Sequence, residues 1–263
     1  MSYVISDSLT MLNRNLLHVV RYPGLSLFTI LGPVVVLLLT VFVFGGTLGA
    51  GLPGVDTAGG RDAYLAYVMP GILLITIAGT VSGVAITVSM DMTEGITARF
   101  RTMAISRAAV LTGHVIGNTI QAVIAVALVL GVGLLAGFRP TATPAEWLGA
   151  VGLIALIAFA LSWIGVAMGM QAKSVETASN LPLIFTILPL LGSGFVPTAS
   201  MPAWLQGFAQ NQPFTPLIEA IRGLLLGVST GSTAVVLAIL WSIVIAVGGY
   251  VWSMVIYERK SVR

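Results

Sequence analysis

The chain has no cysteine, so it offers no disulfide framework, no thiol nucleophile and no thiolate metal site. It is almost as poor in charge, since 8% of its 263 residues are Asp, Glu, Lys or Arg, where a soluble domain has about a quarter. The only histidines are His18 and His114. A serine nucleophile would therefore lack a well-placed base, and neither a His-Glu-x-x-His pair nor paired aspartates within an apolar run are present to hold a metal or activate water. A Gly-x-x-x-x-Gly-Lys-Ser/Thr phosphate loop is missing too, so the chain itself cannot bind nucleotide in that way. These absences argue against a catalytic site in this chain. The twelve Lys and Arg give a net charge of +3 and a pI near 9.5, but they are dispersed through short loops rather than gathered into a patch, which argues against nucleic acid as a partner.

What the chain has in abundance is apolar sequence, with 57% hydrophobic residues and a mean hydropathy of +1.02. Six stretches carry no Asp, Glu, Lys or Arg: 22–55, 63–90, 108–138, 147–172, 177–218 and 223–257. Each exceeds the roughly 20 residues that cross a ~30 Å hydrocarbon layer as a helix. The pattern predicts an all-α polytopic membrane protein with six transmembrane helices. Residues 1–263 form one membrane domain, because no hydrophilic segment is long enough to fold as a second one. The first apolar stretch is too long for a signal-peptide core and is expected to be retained.

Six spans put both termini on one side. Placing them in the cytoplasm leaves Arg14, Arg21, Arg99, Arg101, Arg107, Lys173, Arg259, Lys260 and Arg263 inside, against Arg61, Arg139 and Arg222 outside. That bias satisfies the positive-inside rule. Ahead of the first span, Ile5, Leu9, Leu12, Leu16 and Val19 recur at three- and four-residue spacing, with Asp7, Arg14, His18 and Arg21 on the other face. Residues 1–22 are therefore expected to form an amphipathic helix on the inner membrane surface, ended by Pro23 and Gly24.

Between the spans, 45–60 is glycine-rich and expected to be a flexible outer loop. The turn at 139–146, with Pro140 and Pro144, is short enough to make the third and fourth helices neighbours, and 173–180 is expected to be a short inner loop. The run 177–218 is too long for one helix and holds Pro182, Pro189, Pro197, Pro202, Pro213 and Pro216. It is expected to contain a fifth span near 181–195, then two short re-entrant helices around 201–210 and 214–227 that enter the outer leaflet without crossing. Broken backbone at that depth needs a covering of protein or a water-lined cavity. Glu219 and Arg222, three apart on the second of these helices, could pair. Gly79/Gly83, Gly113/Gly117, Gly133/Gly137 and Gly165/Gly169 permit close helix approach. Asn118 and Gln121 follow His114 in the third span, and could line a substrate path or join helices by hydrogen bonds.

The inner loop between spans two and three reads Met90-Asp91-Met92-Thr93-Glu94-Gly95-Ile96-Thr97-Ala98-Arg99-Phe100-Arg101-Thr102-Met103-Ala104-Ile105-Ser106-Arg107. Acidic residues lead and basic residues trail, which complements a helix macrodipole, while Ile96, Phe100 and Met103 share a face. A short amphipathic helix of this kind suits docking into a groove on a soluble partner, or anchoring at the membrane surface.

This string resembles the coupling-helix segment of the ABC type-2 transporter permease family, and in particular its daunorubicin/doxorubicin-resistance-like branch. The resemblance is carried by Asp91, Gly95, Arg99, Phe100, Arg101 and Arg107, and again by Pro213, Thr215, Arg222, Gly223 and the leucine run that ends at Gly227. Where many relatives have Leu-Pro or Ser-Pro after the coupling helix, this chain has Met103-Ala104-Ile105.

The resemblance implies the permease of a bacterial cell-membrane exporter, working with two copies of an ABC ATPase and a second permease subunit, identical or related. ATP and Mg would be bound by the ATPase, and no cofactor by this chain. It places docking on Glu94, Arg99, Phe100 and Arg101, with Asp91 capping the helix. The substrate is expected to be an amphipathic drug or natural product, since an apolar cavity favours hydrophobic ligands. A lipid or polysaccharide-type envelope substrate is the alternative, and an ATP-independent secondary transporter the more distant one.

Overall fold

The computed structural model describes residues 23–52, 60–93, 107–227 and 232–261, with side chains for 29–52, 60–93, 111–227 and 233–259. Among these residues every regular element is helical. They are α1 (Pro23–Phe42), α2 (Gly45–Ala50), α3 (Gly60–Thr93), α4 (Arg107–Leu135), α5 (Pro144–Gln171), α6 (Val175–Asn180), α7 (Leu183–Ile187), α8 (Ala203–Asn211), α9 (Phe214–Leu226) and α10 (Ser232–Ser261). Short 3-10 turns at Leu188–Leu191 and Thr198–Ser200 link α7 to α8.

Four helices are long and apolar enough to cross a membrane: Gly60–Thr93, Leu111–Leu135, Pro144–Gln171 and Thr233–Arg259. The other two expected spans correspond to shorter apolar helical stretches, Thr29–Phe42 and Val175–Leu191. The second of these is broken into α6, α7 and a 3-10 turn. Pro182 and Pro189 each remove a backbone donor at these breaks, whereas Pro33 and Pro70 are accommodated inside α1 and α3. The expected interface helix over 1–22 lies outside the described residues.

The boundaries have local causes. A capping box starts α5: Thr143 Oγ1 accepts from the Glu146 amide at 3.3 Å, and Glu146 Oε2 accepts from the Thr143 amide at 2.7 Å. The stretch 173–180, expected as a loop, contains a helix, because Ser174 Oγ caps α6 by accepting from the Thr177 amide at 3.1 Å. Gly45–Ala50 is likewise helical rather than loose. Gly227, in the left-handed region at φ 61°, ends α9.

At the centre, α3 packs against α1, α2, α4, α5 and α9, and α10 lies along α5. The third and fourth of the expected spans, α4 and α5, are neighbours as their short connection requires. Of the glycine pairs, Gly165/Gly169 makes the closest seam. A Cβ at Gly165 would stand 2.5 Å from Val84 Cγ1, and one at Gly169 would stand 2.4 Å from the Ala85 carbonyl oxygen. Gly79 and Gly83, by contrast, face open space. One apolar cluster fills the body of the bundle around Leu65, Met69, Leu73, Ile157 and Phe214. A second, built from Val84, Val88, Leu111, Val115, Trp163, Val166, Met170 and Tyr257, closes the end from which residues 94–106 leave.

Candidate functional site

At that end, α3 and α4 are the two helices on which the segment 94–106 is mounted. Asp91 lies in the last turn of α3, and its Oδ2 is 3.2 Å from His114 Nε2 on α4, both side chains being buried. This corrects the expected capping role. A cap residue has non-helical backbone angles, whereas Asp91 is inside a helix that runs to Thr93, and its carboxylate is turned to the neighbouring helix. Glu94, Gly95, Arg99, Phe100 and Arg101 lie outside the described residues, and Arg107 opens α4.

In the middle of the bundle, Asn118 Nδ2 donates to Ser162 Oγ on α5 at 2.8 Å and to Thr80 Oγ1 on α3 at 3.4 Å. Ser162 and Thr80 pass their own protons to backbone carbonyls, Ala158 at 2.6 Å and Ile77 at 2.7 Å. The three long helices are thus joined by one buried polar bridge, the helix-joining alternative for Asn118. Gln121 is half-buried and does not enter it.

At the opposite end, α8 and α9 fall where the two short helices were expected. Arg222 does not pair with Glu219. Its Nη2 donates to the Tyr67 carbonyl at 3.1 Å and the Ser193 carbonyl at 2.6 Å, and its guanidinium carbon stands 4.0 Å from the centroid of the Tyr67 ring. Two fixed carbonyls and an aromatic face, already desolvated by the bundle, hold the cation better than a carboxylate on the same helix. Arg222 therefore pins α9 both to α3 and to the irregular stretch around Ser193. The same stretch meets α3 backbone to backbone, since a Cβ at Gly71 would lie 2.8 Å from Gly194 Cα. Gln212 Nε2 donates to the Leu188 carbonyl at 3.1 Å, and Thr215 Oγ1 donates to the Ala209 carbonyl, closing the α8–α9 corner. Pro213 precedes α9, and Gly223 is buried on it.

Buried polar atoms without a hydrogen-bond partner gather around this assembly: Tyr64 Oη, Ser193 Oγ, Gln212 Oε1 and Arg222 Nε. Among the described residues no three His, Cys, Asp or Glu come together as metal ligands would.

Sequence reasoning missed Tyr67, Ser162 and Ser193, and assigned His114 no partner. An arginine within an apolar run signals that some acceptor must be brought to it, but the acceptors here are backbone carbonyls, which leave no mark in a sequence.

The profile of the ABC-2 type transporter family matches residues 7–226. The daunorubicin resistance ABC transporter permease protein DrrB1 of Streptomyces coeruleorubidus is 28% identical over 225 residues, covering 85% of this chain and 76% of that one. The probable doxorubicin resistance ABC transporter permease protein DrrC of Mycobacterium tuberculosis is 26% identical over 202 residues, covering 76% of this chain and 71% of that one.

Proposed function

This chain belongs to the ABC-2 type transporter family, and from that we propose that it is the membrane subunit of an ATP-driven exporter of amphipathic drugs or natural products. The observation that carries the mechanism is the Asp91–His114 contact, which ties the last turn of α3 to the first turns of α4 on either side of residues 94–106. A loop mounted on two fastened helix ends passes a push into the bundle instead of absorbing it by bending.

In this reading a separate ATPase, in two copies, binds ATP and Mg and presses on residues 94–106. Phe100 fills its groove, and Glu94, Arg99 and Arg101 set the register. The working complex contains a second permease subunit, sits in a bacterial cell membrane and has both termini of this chain in the cytoplasm. α1 and the α6–α7 segment complete six spans, and α8 and α9 re-enter the outer leaflet. The broken backbone of 188–194 is tolerable there because α3 and α9 cover it. The drug substrate is supported by the names of the two relatives and by the apolar interior of the bundle.

Co-expression with a cognate ABC ATPase, purification through a tag on this chain and assay of ATP hydrolysis with amphipathic drugs tests the reading. Co-purification with drug-responsive hydrolysis is expected. Failure of any ATPase to accompany the chain in mild detergent and in nanodiscs would overturn it. Phe100→Ala and Arg101→Glu should leave the chain inserted while ATP use no longer drives transport. Unchanged transport by both variants would remove the docking assignment.

A further inference from the structure

Glu219 is left without a task by the contacts described so far. It is half-buried on α9, one turn before Arg222, whose guanidinium is hydrogen-bonded to the Tyr67 and Ser193 carbonyls and acts on Glu219 through space without an ion-pair contact. Among the described residues no Lys, Arg or His nitrogen comes within 4.0 Å of its carboxylate. Glu219 instead lines a cavity of about 570 Å³ between the α8–α9 corner and the start of α10, together with Asn211, Thr215, Leu237 and Trp241.

Three features of this cavity define what fits. Its volume lies in the range that accepts a drug-sized molecule. A half-buried carboxylate, flanked here by Asn211 and Thr215 as well as by apolar side chains, attracts a cation more strongly than one in bulk water, because the local dielectric is lowered. Trp is the side chain best suited to hold an organic cation, and Leu237 and Pro216 extend an apolar wall away from the charge. An inorganic ion would leave that wall unused, and a neutral apolar molecule would leave the carboxylate with the through-space charge of Arg222 but no contact partner.

We propose that this cavity binds the cationic head of an amphiphile, with Glu219 as counter-charge and Trp241 and Leu237 as aromatic and aliphatic walls. The cation can belong to a transported molecule or to the headgroup of an aminophospholipid, and its role as substrate rests on the export reading above. Binding at the site does not.

The test uses the full chain in micelles of dodecyl maltoside, whose headgroup carries no charge, without ATPase or ATP, titrated with tetraphenylphosphonium by calorimetry. Saturable binding is expected, weakened about tenfold or more by Glu219→Gln and held within about threefold by Glu219→Asp. Neutral triphenylphosphine oxide should bind wild type and Glu219→Gln alike. Trp241→Leu should weaken tetraphenylphosphonium severalfold, and it carries the test should Glu219→Gln fail to fold. No saturable binding by wild type, or affinities within twofold for wild type and both Glu219→Gln and Trp241→Leu, would overturn the proposal. Adding phosphatidylethanolamine or phosphatidylcholine to the micelles identifies the source: competition by either marks a lipid headgroup, and its absence for both marks a separate amphiphile. Binding without ATP-driven export would remove the export reading and keep the site, whereas export without binding would do the reverse.

Discussion

α3 and α10 are equally apolar, with mean hydropathies of 2.1 and 2.4 over their most apolar windows, yet 72% of that window is buried in α3 and 17% in α10. Hydrophobicity places both helices in lipid without deciding which is wrapped by protein. The difference lies in how many sides of each helix meet protein, since α3 is surrounded by α1, α2, α4, α5 and α9 while α10 packs on α5 and α9 alone among the pairs with extensive contact. α3 carries the seam to Gly165 and Gly169, the Thr80 contact to Asn118, the Tyr67 contact to Arg222 and the Asp91 contact to His114. Outward on α10 stand Val236, Leu240, Ile243, Val244, Val247 and Val251, all at least half as exposed as a free side chain or nearly so. Its other side lies closely along α5, where a Cβ at Gly249 would stand 2.8 Å from Trp163 Cβ, Trp252 Nε1 donates to Gln171 Oε1 at 3.1 Å and Ser253 Oγ donates to the Trp163 carbonyl at 3.2 Å. In a membrane, association between helices comes from such close approach and hydrogen bonding, because lipid tails satisfy an exposed Val as well as another helix does.

Substitutions at matched positions would break or sharpen this contrast. The largest effect is expected from Gly165→Val, whose side chain would collide with Val81 and Val84 on α3. A loss of roughly 3 kcal/mol or more is expected from such overpacking, read as a collapse of thermal stability in detergent. Gly248→Val on α10, where nothing stands within 4 Å of the added carbon, should stay within about 0.5 kcal/mol of wild type. Equal losses at the two glycines would dissolve the distinction between the helices.

Next in size is Arg222→Met, which removes two hydrogen bonds to carbonyls and the stacking on Tyr67. Hydrogen bonds from a charged donor are worth about 1.5–3 kcal/mol, and hydrogen exchange should report freed amides around residues 188–196. Arg222→Lys should recover only part of the loss, since one nitrogen, Nη2, serves both carbonyls but an ammonium lacks the planar face that stacks on Tyr67. Full rescue by Lys would mean that charge alone holds α9.

A smaller effect is expected from Asn118→Ala, about 0.6–2 kcal/mol by the measured worth of hydrogen bonds between membrane helices. A double-mutant cycle with Ser162→Ala should show coupling of the same order. Leu240→Ala on α10 comes last, with a stability change too small to resolve beside the others.

How far the sequence could be read follows the same division. Charge-free runs announced the long helices, and proline spacing announced the breaks between 177 and 216, because both act through the backbone of the residues that carry them. The short helices α8 and α9 were legible for this reason, while the helical state of α6 depended on recognising Ser174 as a cap. In the candidate site, Asp91 and Arg222 were singled out as charges in an apolar chain, and each was given the wrong neighbour. Local spacing offers only partners on the same helix or at its start, so Asp91 was assigned to the following turn and Arg222 to Glu219.

Composition and pattern by themselves determined that this is a membrane protein, that it is helical, and that two short helices follow the proline-rich run after residue 177. These follow from the energetic cost of moving charge and unpaired backbone groups into hydrocarbon, which each residue bears wherever it sits in the fold. Tertiary structure alone decided that Arg222 meets the carbonyl of Tyr67, 155 positions away, that Asn118 joins α3 to α5, that Asp91 faces His114, and that Glu219 is left to line a cavity. Those pairings depend on which helices become neighbours, and packing of small residues against backbone sets that choice over distances at which no sequence period survives.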